Sequence, residues 1–196
     1  LSSSSAASDV YKRQGHNGNN LARVDHWFST GRAPKKRNQK SIYLSAARSW
    51  LFNLVLNERL GQANWNRYLQ GDVMLLSGTK GSVFHVDHED ATIQPRLDTM
   101  DIHPTGPMWG KGQAIVSEGC LALEQAALSD WQDWQVGLER AGLVQSRRAL
   151  RLFPQDFEWQ FLENNALSLR FFLPSGCYAT AVMRELAVIT DVSHKQ

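Results

Sequence analysis

The chain has 196 residues, of which 42% are hydrophobic and 20% charged, a composition that is typical of a globular protein with a substantial core and excludes general disorder. Lysine and arginine exceed aspartate and glutamate by only 21 − 19 = 2. Binding to nucleic acid would therefore depend on local clusters of positive charge rather than on net charge.

The two cysteines, Cys120 and Cys177, are far apart and lack the spacing of a metal site. This pattern predicts two free thiols in a reducing compartment, and a cytoplasmic protein is the expectation. No apolar run is long enough for a membrane span, so no membrane partner is expected.

The first segment, residues 1–14, reads LSSSSAASDVYKRQ and has neither an initiator methionine nor the apolar region of a signal peptide. We expect it to be a disordered or non-native lead. The abrupt change into GHNGNN at Gly15 indicates a junction.

A concentrated basic run follows. Residues 15–20 are typical of a loop, residues 21–28 favour a short helix, and Thr30-Gly31 ends that helix. The next stretch, GRAPKKRNQK, carries five positive charges and no negative one: Arg32, Lys35, Lys36, Arg37 and Lys40. A solvated loop is one interpretation. Contact with phosphates is the other, and it is favoured because the run leads directly into the polar edge of the next helix.

That next helix, predicted over residues 40–60, is the element around which the chain is organised. Its apolar arc comprises Leu44, Ala47, Trp50, Leu51, Leu54 and Val55. Its polar arc includes Ser45, Arg48 and Ser49. Phe52 and Leu56 interrupt the polar side, which predicts that the helix is covered on more than one side.

The middle of the chain predicts a hairpin and two helices. Two strands between Asp72 and Val86 flank the turn SGTKG. The cluster from His85 to Asp90 contains possible metal ligands, but without a second ligand pair it is better explained as a strand end followed by a cap, and no metal is expected. Residues 102–112 are predicted to be a loop. Helices are expected over 118–128 and 129–141, the second with a capping box of Ser129 and Gln132, a stripe of Trp131, Trp134, Leu138 and Ala141, and a stop at Gly142.

The last section begins with a second basic cluster of Arg147, Arg148 and Arg151. Two strands, around 157–161 and 167–173, are predicted on either side of Glu163-Asn164-Asn165. A turn at Pro174-Ser175-Gly176 then leads into a helix whose free N–H groups could bind an anion. Cys177 lies at this turn and is interpreted as a packed thiol, since no nearby residue looks like a paired base.

Several collinear motifs resemble the tRNA pseudouridine synthase D (TruD) family. The resemblance runs from Gly15 to about Ile189. The motifs are GHNGNNL (15–21), SIYLSAARSWLFN (41–53), GD (71–72), PTGPMWG (104–110), LEQAAL (123–128), RRALRLFP (147–154) and FFLPSGCYATAVMREL (171–186).

This resemblance implies an α+β fold and an isomerase that converts uridine to pseudouridine in tRNA, at position 13 in bacterial members, without metal or organic cofactor. Residues 15–150 would be most of the family's insertion domain, and residues 151–196 would be a returning C-terminal part of the catalytic domain. The family's catalytic Asp lies in a motif Gly-x-Lys-Asp-Lys-x-Ala. No Asp in this sequence has that neighbourhood, so we expect a C-terminal fragment without a catalytic residue of its own and without turnover.

Within this resemblance, RNA phosphates would be held by Arg32, Lys35, Lys36, Arg37, Lys40 and Arg48. The border of the uridine pocket would be formed by Ser175, Gly176, Cys177, Tyr178 and Ala179. The intact enzyme is expected to be a monomer. The alternative function is a non-catalytic RNA-binding module, and a weaker one is a hydrolase using Cys177 or the cluster from His85 to Asp90. We also expect uncovered strands within residues 157–173, and hence aggregation of the isolated chain.

Overall fold

The computed structural model describes residues 19–79, 81–86, 91–174 and 177–188. The predicted lead over 1–14, the first part of the 15–20 loop and the acidic cluster from Asp87 to Asp90 lie outside the described residues. Of the helices in the described ranges, none combines the length and the apolar character that crossing a lipid bilayer requires.

The described chain is an α+β structure, as the sequence predicts. Its helices are α1 (Asn19–Thr30), α2 (Arg37–Gly61), α3 (Ile93–Asp98), α4 (Glu118–Ala127), α5 (Gln132–Arg140) and α6 (Ala179–Leu186). Its strands are β1 (Val73–Leu76), β2 (Val83–His85), β3 (Ile102–Met108), β4 (Ser146–Ala149), β5 (Gln155–Phe161) and β6 (Leu167–Phe172).

Helix α2 is the central element of the fold. The predicted helix over 40–60 is confirmed and is extended to Arg37–Gly61. Its apolar arc packs with α1, α4 and α5 in the largest core cluster, which includes Val24, Leu51 and Leu138. Phe52 and Leu56 are also buried, in a second cluster with Leu150. The prediction that α2 is covered on more than one side is therefore confirmed.

A four-stranded antiparallel sheet packs against α2 in the order β2-β1-β3-β4. The predicted hairpin between Asp72 and Val86 is confirmed as β1 and β2, with Met74 opposite Phe84. The prediction of a loop over residues 102–112 is wrong for its first part, because Ile102–Met108 forms β3, an inner strand of the sheet.

Pro104 and Pro107 of β3 are the reason why the sequence pattern indicates a loop. The strand accommodates them because its two halves pair with different neighbours. Residues 102–104 pair with β1, and residues 105–108 pair with β4. Leu150 N–H donates to the Pro104 carbonyl, so Pro104 faces the β4 edge just beyond that ladder. Successive residues of a strand face opposite edges, and Pro107 therefore faces the β1 edge beyond the end of the other ladder. Pro104 therefore forgoes only one N–H donor at the end of the β4 ladder, and Pro107 forgoes none of the β1 ladder.

Gly106 fits the same strand against α2. A Cβ atom at this position would lie 2.9 Å from Cε2 of Phe52 and 2.9 Å from Cδ2 of Leu150. Helix and sheet consequently approach more closely here than any side chain at position 106 would allow.

The helical hairpin of α4 and α5 agrees with prediction except at one cap. A short 3₁₀ turn, Ser129–Trp131, precedes α5. The predicted capping box of Ser129 and Gln132 is wrong, because α5 has no side-chain cap and the Ser129 hydroxyl donates to the Ala126 carbonyl instead. Gly142 follows α5 with φ of 83° and ends it, as predicted.

The C-terminal hairpin, residues 155–172, consists of β5 and β6 in antiparallel pairing, with Trp159 opposite Leu169 and Phe161 opposite Leu167. Both predicted strands are confirmed, and the link contains the 3₁₀ turn Glu163–Asn165. Odd-numbered apolar side chains line one face, since side chains alternate along a strand. That face includes Trp159 at 63% exposure and Phe161 at 69%. The prediction of uncovered strands is therefore confirmed for the described residues.

Candidate nucleic-acid interface

The basic run lies in the link between α1 and α2 and in the first turn of α2. Gly31 has φ of 71° and its N–H donates to the Trp27 carbonyl, which ends α1 and turns the chain outward. Arg32, Lys35, Lys36 and Arg37 are exposed. The prediction of a solvated basic loop is therefore confirmed for Arg32, Lys35 and Lys36, whereas Arg37 is exposed but is the first residue of α2.

The N-terminus of α2 adds to the positive potential of the run. The cap residue, Lys36, makes no side-chain cap hydrogen bond, and the first turn contains no acidic residue. The positive end of the helix dipole and the unbonded N–H groups of the first turn therefore lie beside basic side chains. Like charges in this arrangement repel one another, and an anion bound at the same place would relieve the repulsion.

Lys40 is the half-buried member of the run. Its Nζ lies 5.8 Å from the centroid of the Trp27 ring, a cation–π contact that restricts the ammonium group to the α1 side of α2. The contact keeps Lys40 next to the exposed part of the run.

Arg48 is placed differently from the other predicted phosphate ligands. Its Nη2 donates to the carbonyl of Val144 and to the hydroxyl of Ser146, both at 3.0 Å, and to the carbonyl of Met108. Burial lowers the pKa of its guanidinium from the ordinary value. These contacts tie α2 to the ends of β3 and β4, so the structure gives Arg48 a bracing role. A phosphate contact at Arg48 stays a prediction.

The second basic cluster faces inward. Arg147 donates to both oxygens of Glu124, at 2.6 and 3.0 Å, and to the Thr105 carbonyl. The Arg148 guanidinium lies 5.2 Å from the centroid of the Phe52 ring. Arg147 and Arg151, two of the three arginines in this cluster, are therefore bound to buried partners inside the protein.

A buried ion pair lies outside the predicted site residues. Arg59 and Asp72 are 1% and 0% exposed and pair through two hydrogen bonds of 3.0 Å. The Cys120 thiol donates to the same carboxylate, and its pKa is raised mainly by burial and further by Asp72 and Glu124. Arg59 lies on the same arc of α2 as Leu51 and Val55, two turns beyond the first and one turn beyond the second, and this position is the signal in the sequence for a buried charge.

This network also shows what Asp72 does. Besides Arg59 and Cys120, the Leu69 N–H donates to the Asp72 carboxylate at 2.8 Å. Both carboxylate oxygens are therefore occupied in the core, and Asp72 is held in a structural role. This agrees with the sequence, in which Asp72 lacks the lysine neighbours of the family's catalytic motif.

A second internal cluster joins β3 to the segment that follows β4. His103 is 8% exposed, and its Nδ1 accepts a hydrogen bond of 2.9 Å from Nε of Arg151. Its Nε2 lies 2.8 Å from the Ser77 hydroxyl. Burial and the charge of Arg151 lower the pKa of His103 to about 4, against a smaller opposing effect of Asp101. The imidazole is therefore neutral near pH 7.

The predicted pocket border is described only in part. Ser175 and Gly176 lie outside the described residues. Cys177 donates its N–H to the Pro174 carbonyl, Tyr178 is the extended residue before the helix, and Ala179 is the first residue of α6. The helix therefore begins at the end of the predicted border, and neither Cys120 nor Cys177 is part of a disulfide.

The metal cluster considered for His85 to Asp90 has one described member with a clear contact. Nε2 of His85 lies 3.0 Å from the Ser117 hydroxyl. Among the residues that the structure describes, no group of three or more His, Cys, Asp or Glu side chains is arranged to hold a metal ion.

Known proteins similar to this chain share one family description. The family model described as tRNA pseudouridine synthase D (TruD) matches residues 21–186. The protein named tRNA pseudouridine synthase D of Nitrosococcus oceani is 44% identical over 176 residues, which are 89% of this chain and 49% of that protein. The protein of the same name from Xanthomonas euvesicatoria is 48% identical over 164 residues, which are 83% of this chain and 44% of that protein.

A solved structure supports the fold. The crystal structure titled putative tRNA pseudouridine synthase D from Methanosarcina mazei superposes with a TM-score of 0.57 at 20% identity, over 89% of this chain and 44% of that chain. The present chain thus spans about half the length of the curated relatives it matches. Because the family model covers most of the sequence, the chain belongs to the tRNA pseudouridine synthase D family.

Proposed function

We propose that this chain supplies the RNA-binding part of a tRNA pseudouridine synthase, an isomerase that converts uridine to pseudouridine in tRNA. The observation that carries the proposal is the family match over residues 21–186, together with relatives that are named tRNA pseudouridine synthase D. The exposed basic run gives the proposal a physical site for the phosphates of tRNA.

The proposed division of labour places most of the insertion domain in residues 15–150 and a returning part of the catalytic domain in residues 151–196. Two features support it. The four hydrophobic clusters of the described chain use residues up to Leu150, and the C-terminal hairpin leaves an apolar face uncovered. A hairpin of this kind needs another apolar surface for stable packing.

Phosphate binding is assigned to Arg32, Lys35, Lys36, Arg37 and Lys40. Their side chains lie on one link and one helical turn, so they can reach consecutive phosphates of a single RNA backbone segment. Charge, not base-specific contact, supplies the affinity at such a site, and we expect binding to be strongly dependent on salt. Arg48 would act by fixing α2 against the sheet.

Turnover needs a carboxylate that this sequence does not supply in the family's motif. We propose that the N-terminal turn of α6, at Cys177 to Ala179, borders the uridine pocket, and that the reactive Asp acts on the sugar from outside these 196 residues. No metal and no organic cofactor enter the proposed reaction, and the intact enzyme is proposed to be monomeric.

Binding is tested by titrating labelled tRNA with the chain over a series of salt concentrations. Arg37→Glu is expected to weaken binding and to reduce the slope of log K against log salt by about one or more, because a phosphate contact is lost and a repulsive charge is added. The matched control is Arg140→Glu, an exposed arginine at the end of α5 with the same change in charge. An equal effect of both variants, or no binding by the unmodified chain, would remove the basic run from the site.

Catalysis is tested by release of tritium from tRNA labelled at C5 of uridine. The chain alone is expected to bind tRNA without releasing tritium, and turnover by the chain alone would refute the assignment of the reactive carboxylate. The same arginine change at the matching position of a complete relative should lower kcat/KM mainly through KM. Unchanged kcat/KM in that variant would favour an RNA-binding module without a part in the reaction.

A further inference from the structure

The interior cluster around His103 fixes one tautomer of the imidazole. Arg151 Nε carries a hydrogen that it donates to Nδ1 of His103, so the ring proton lies on Nε2. That proton is donated to the Ser77 hydroxyl, whose own hydrogen is donated to the Met100 carbonyl. The chain of donors has a single direction, from Arg151 through His103 and Ser77 to Met100.

Arg151 is the last residue of the sheet region before the C-terminal hairpin. It is 8% exposed, and its Nη2 donates to the Ile102 carbonyl at 2.7 Å and to the Leu97 carbonyl. The preceding residue, Leu150, donates its N–H to Pro104. Arg151 therefore joins α3, β3 and the outgoing chain through one guanidinium.

We propose that His103 and Arg151 form a proton-sensitive clasp, which holds the chain at its exit from the sheet and opens when His103 takes up a proton. A second proton on the imidazole would have to lie on Nδ1, where it would face the Nε–H of Arg151. Donor would then face donor, and two positive charges would share a buried site. The clasp does not depend on RNA or on the proposed reaction.

The charges around the clasp act in opposing directions. Asp101, next to β3, raises the pKa of His103, but its carboxylate is also paired with Arg96 at 2.6 Å. Asp98, at the end of α3, raises the pKa of Arg151 against the lowering effect of burial. The Ser77 side, after β1, contributes a neutral hydroxyl. Burial and Arg151 outweigh Asp101, because the pKa of His103 falls to about 4.

The sign of the pH effect follows from this lowered pKa. In the open state His103 regains its ordinary value of about 6.5, and in the closed state its pKa is about 4. Between these values the open state binds more protons than the closed state. Opening therefore becomes about tenfold more favourable for each pH unit of acidification in that range, and it levels off below pH 4.

Hydrogen exchange of the complete chain tests the clasp. The amide of Leu150 is the reporter, and exchange rates are corrected for the intrinsic effect of pH. Its protection is expected to fall about tenfold per pH unit between pH 6.5 and 4 and to be lower than that of the Val55 amide, in the middle of α2, because Val55 exchanges only on global unfolding. Equal protection of the two amides at every pH would mean that Leu150 exchanges only by global unfolding, and it would overturn the clasp, as would the absence of a pH slope at Leu150.

Two variants separate the two nitrogen atoms of the imidazole. His103→Asn keeps an acceptor near the Nδ1 position and has no proton to gain, so Leu150 should stay protected and lose its pH slope. His103→Gln keeps an amide near the Nε2 position but offers Arg151 no acceptor, so protection should be low at every pH. A pH slope that persists in His103→Asn refutes the proposal.

A measurement on the unmodified chain decides the matter if the Asn variant does not fold. Nitrogen chemical shifts of the His103 ring should show the Nε2–H tautomer at neutral pH and a midpoint near 4 on acidification. The Nδ1–H tautomer, or a midpoint near the ordinary value, would overturn the clasp.

Discussion

The α+β body, residues 19–151, and the C-terminal hairpin use the same kinds of side chain in opposite ways. In the body, Arg59 and Asp72 pair with almost no exposure, and Trp134 is 6% exposed. In the hairpin, Arg170 and Glu158 pair at 3.5 Å with side chains 74% and 66% exposed, and Trp159 is 63% exposed.

This difference shows that the body buries its own apolar side chains, whereas the hairpin does not. The described part of the body has four apolar clusters, and its buried carboxylates, Asp72 and Glu124, are each paired with an arginine. The described hairpin residues bury none of their side chains, although one face is a continuous apolar surface. Stability therefore resides in the body, while the hairpin presents a surface that we propose is covered in the complete protein.

The largest expected effect comes from breaking the buried ion pair. Asp72→Ala should lower the free energy of unfolding by about 4 to 5 kcal/mol, because the Arg59 charge would remain buried without its carboxylate. Urea unfolding followed by circular dichroism measures the change. Arg170→Ala, which breaks the hairpin pair, should cost about 0.5 kcal/mol or less. Similar costs for the two variants would contradict the distinction between the regions.

Two tryptophans provide a second matched comparison. Trp134 packs edge-on against Trp131 at 4.9 Å between centroids and donates Nε1–H to Asp25. Trp134→Ala should cost about 3 to 4 kcal/mol through a cavity and a lost hydrogen bond. Trp159→Ala should change the unfolding free energy by about 0.5 kcal/mol or less and should reduce self-association, measured by light scattering. A Trp159→Ala variant that aggregates as readily as the parent would remove that apolar face as the cause.

Regular patterns in the sequence predict the central helix of the body and the two strands of the hairpin. The apolar period of α2 and the alternation in 157–161 and 167–173 were sufficient to find both elements, because each buries or presents one face along its length. Exposure of the hairpin was also predictable, since two strands cannot cover themselves. The basic run was visible as charge density alone.

The inner strand and the internal charges were not predictable in the same way. β3 contains Pro104, Gly106 and Pro107, and local propensity therefore favours a loop. Only the offset pairing with β1 and β4 makes the strand possible. The roles of His103 and Arg151 depend on contacts between residues that are distant in sequence, which no periodic pattern encodes.

The smallest of the expected effects concerns the close contact between α2 and β3 at Gly106, in the interior of the body. Gly106→Ala should lower the free energy of unfolding by about 1 to 3 kcal/mol, because the new methyl group would overlap the Phe52 ring and Leu150. Gly61→Ala is the control, since a Cβ atom at the end of α2 meets nothing within 4 Å, and it should be neutral or slightly stabilising. Urea midpoints at constant slope measure both. A neutral Gly106→Ala would show that α2 and the sheet can separate by a few tenths of an ångström at little cost in free energy. The body would then be less tightly packed at this contact than the distances indicate.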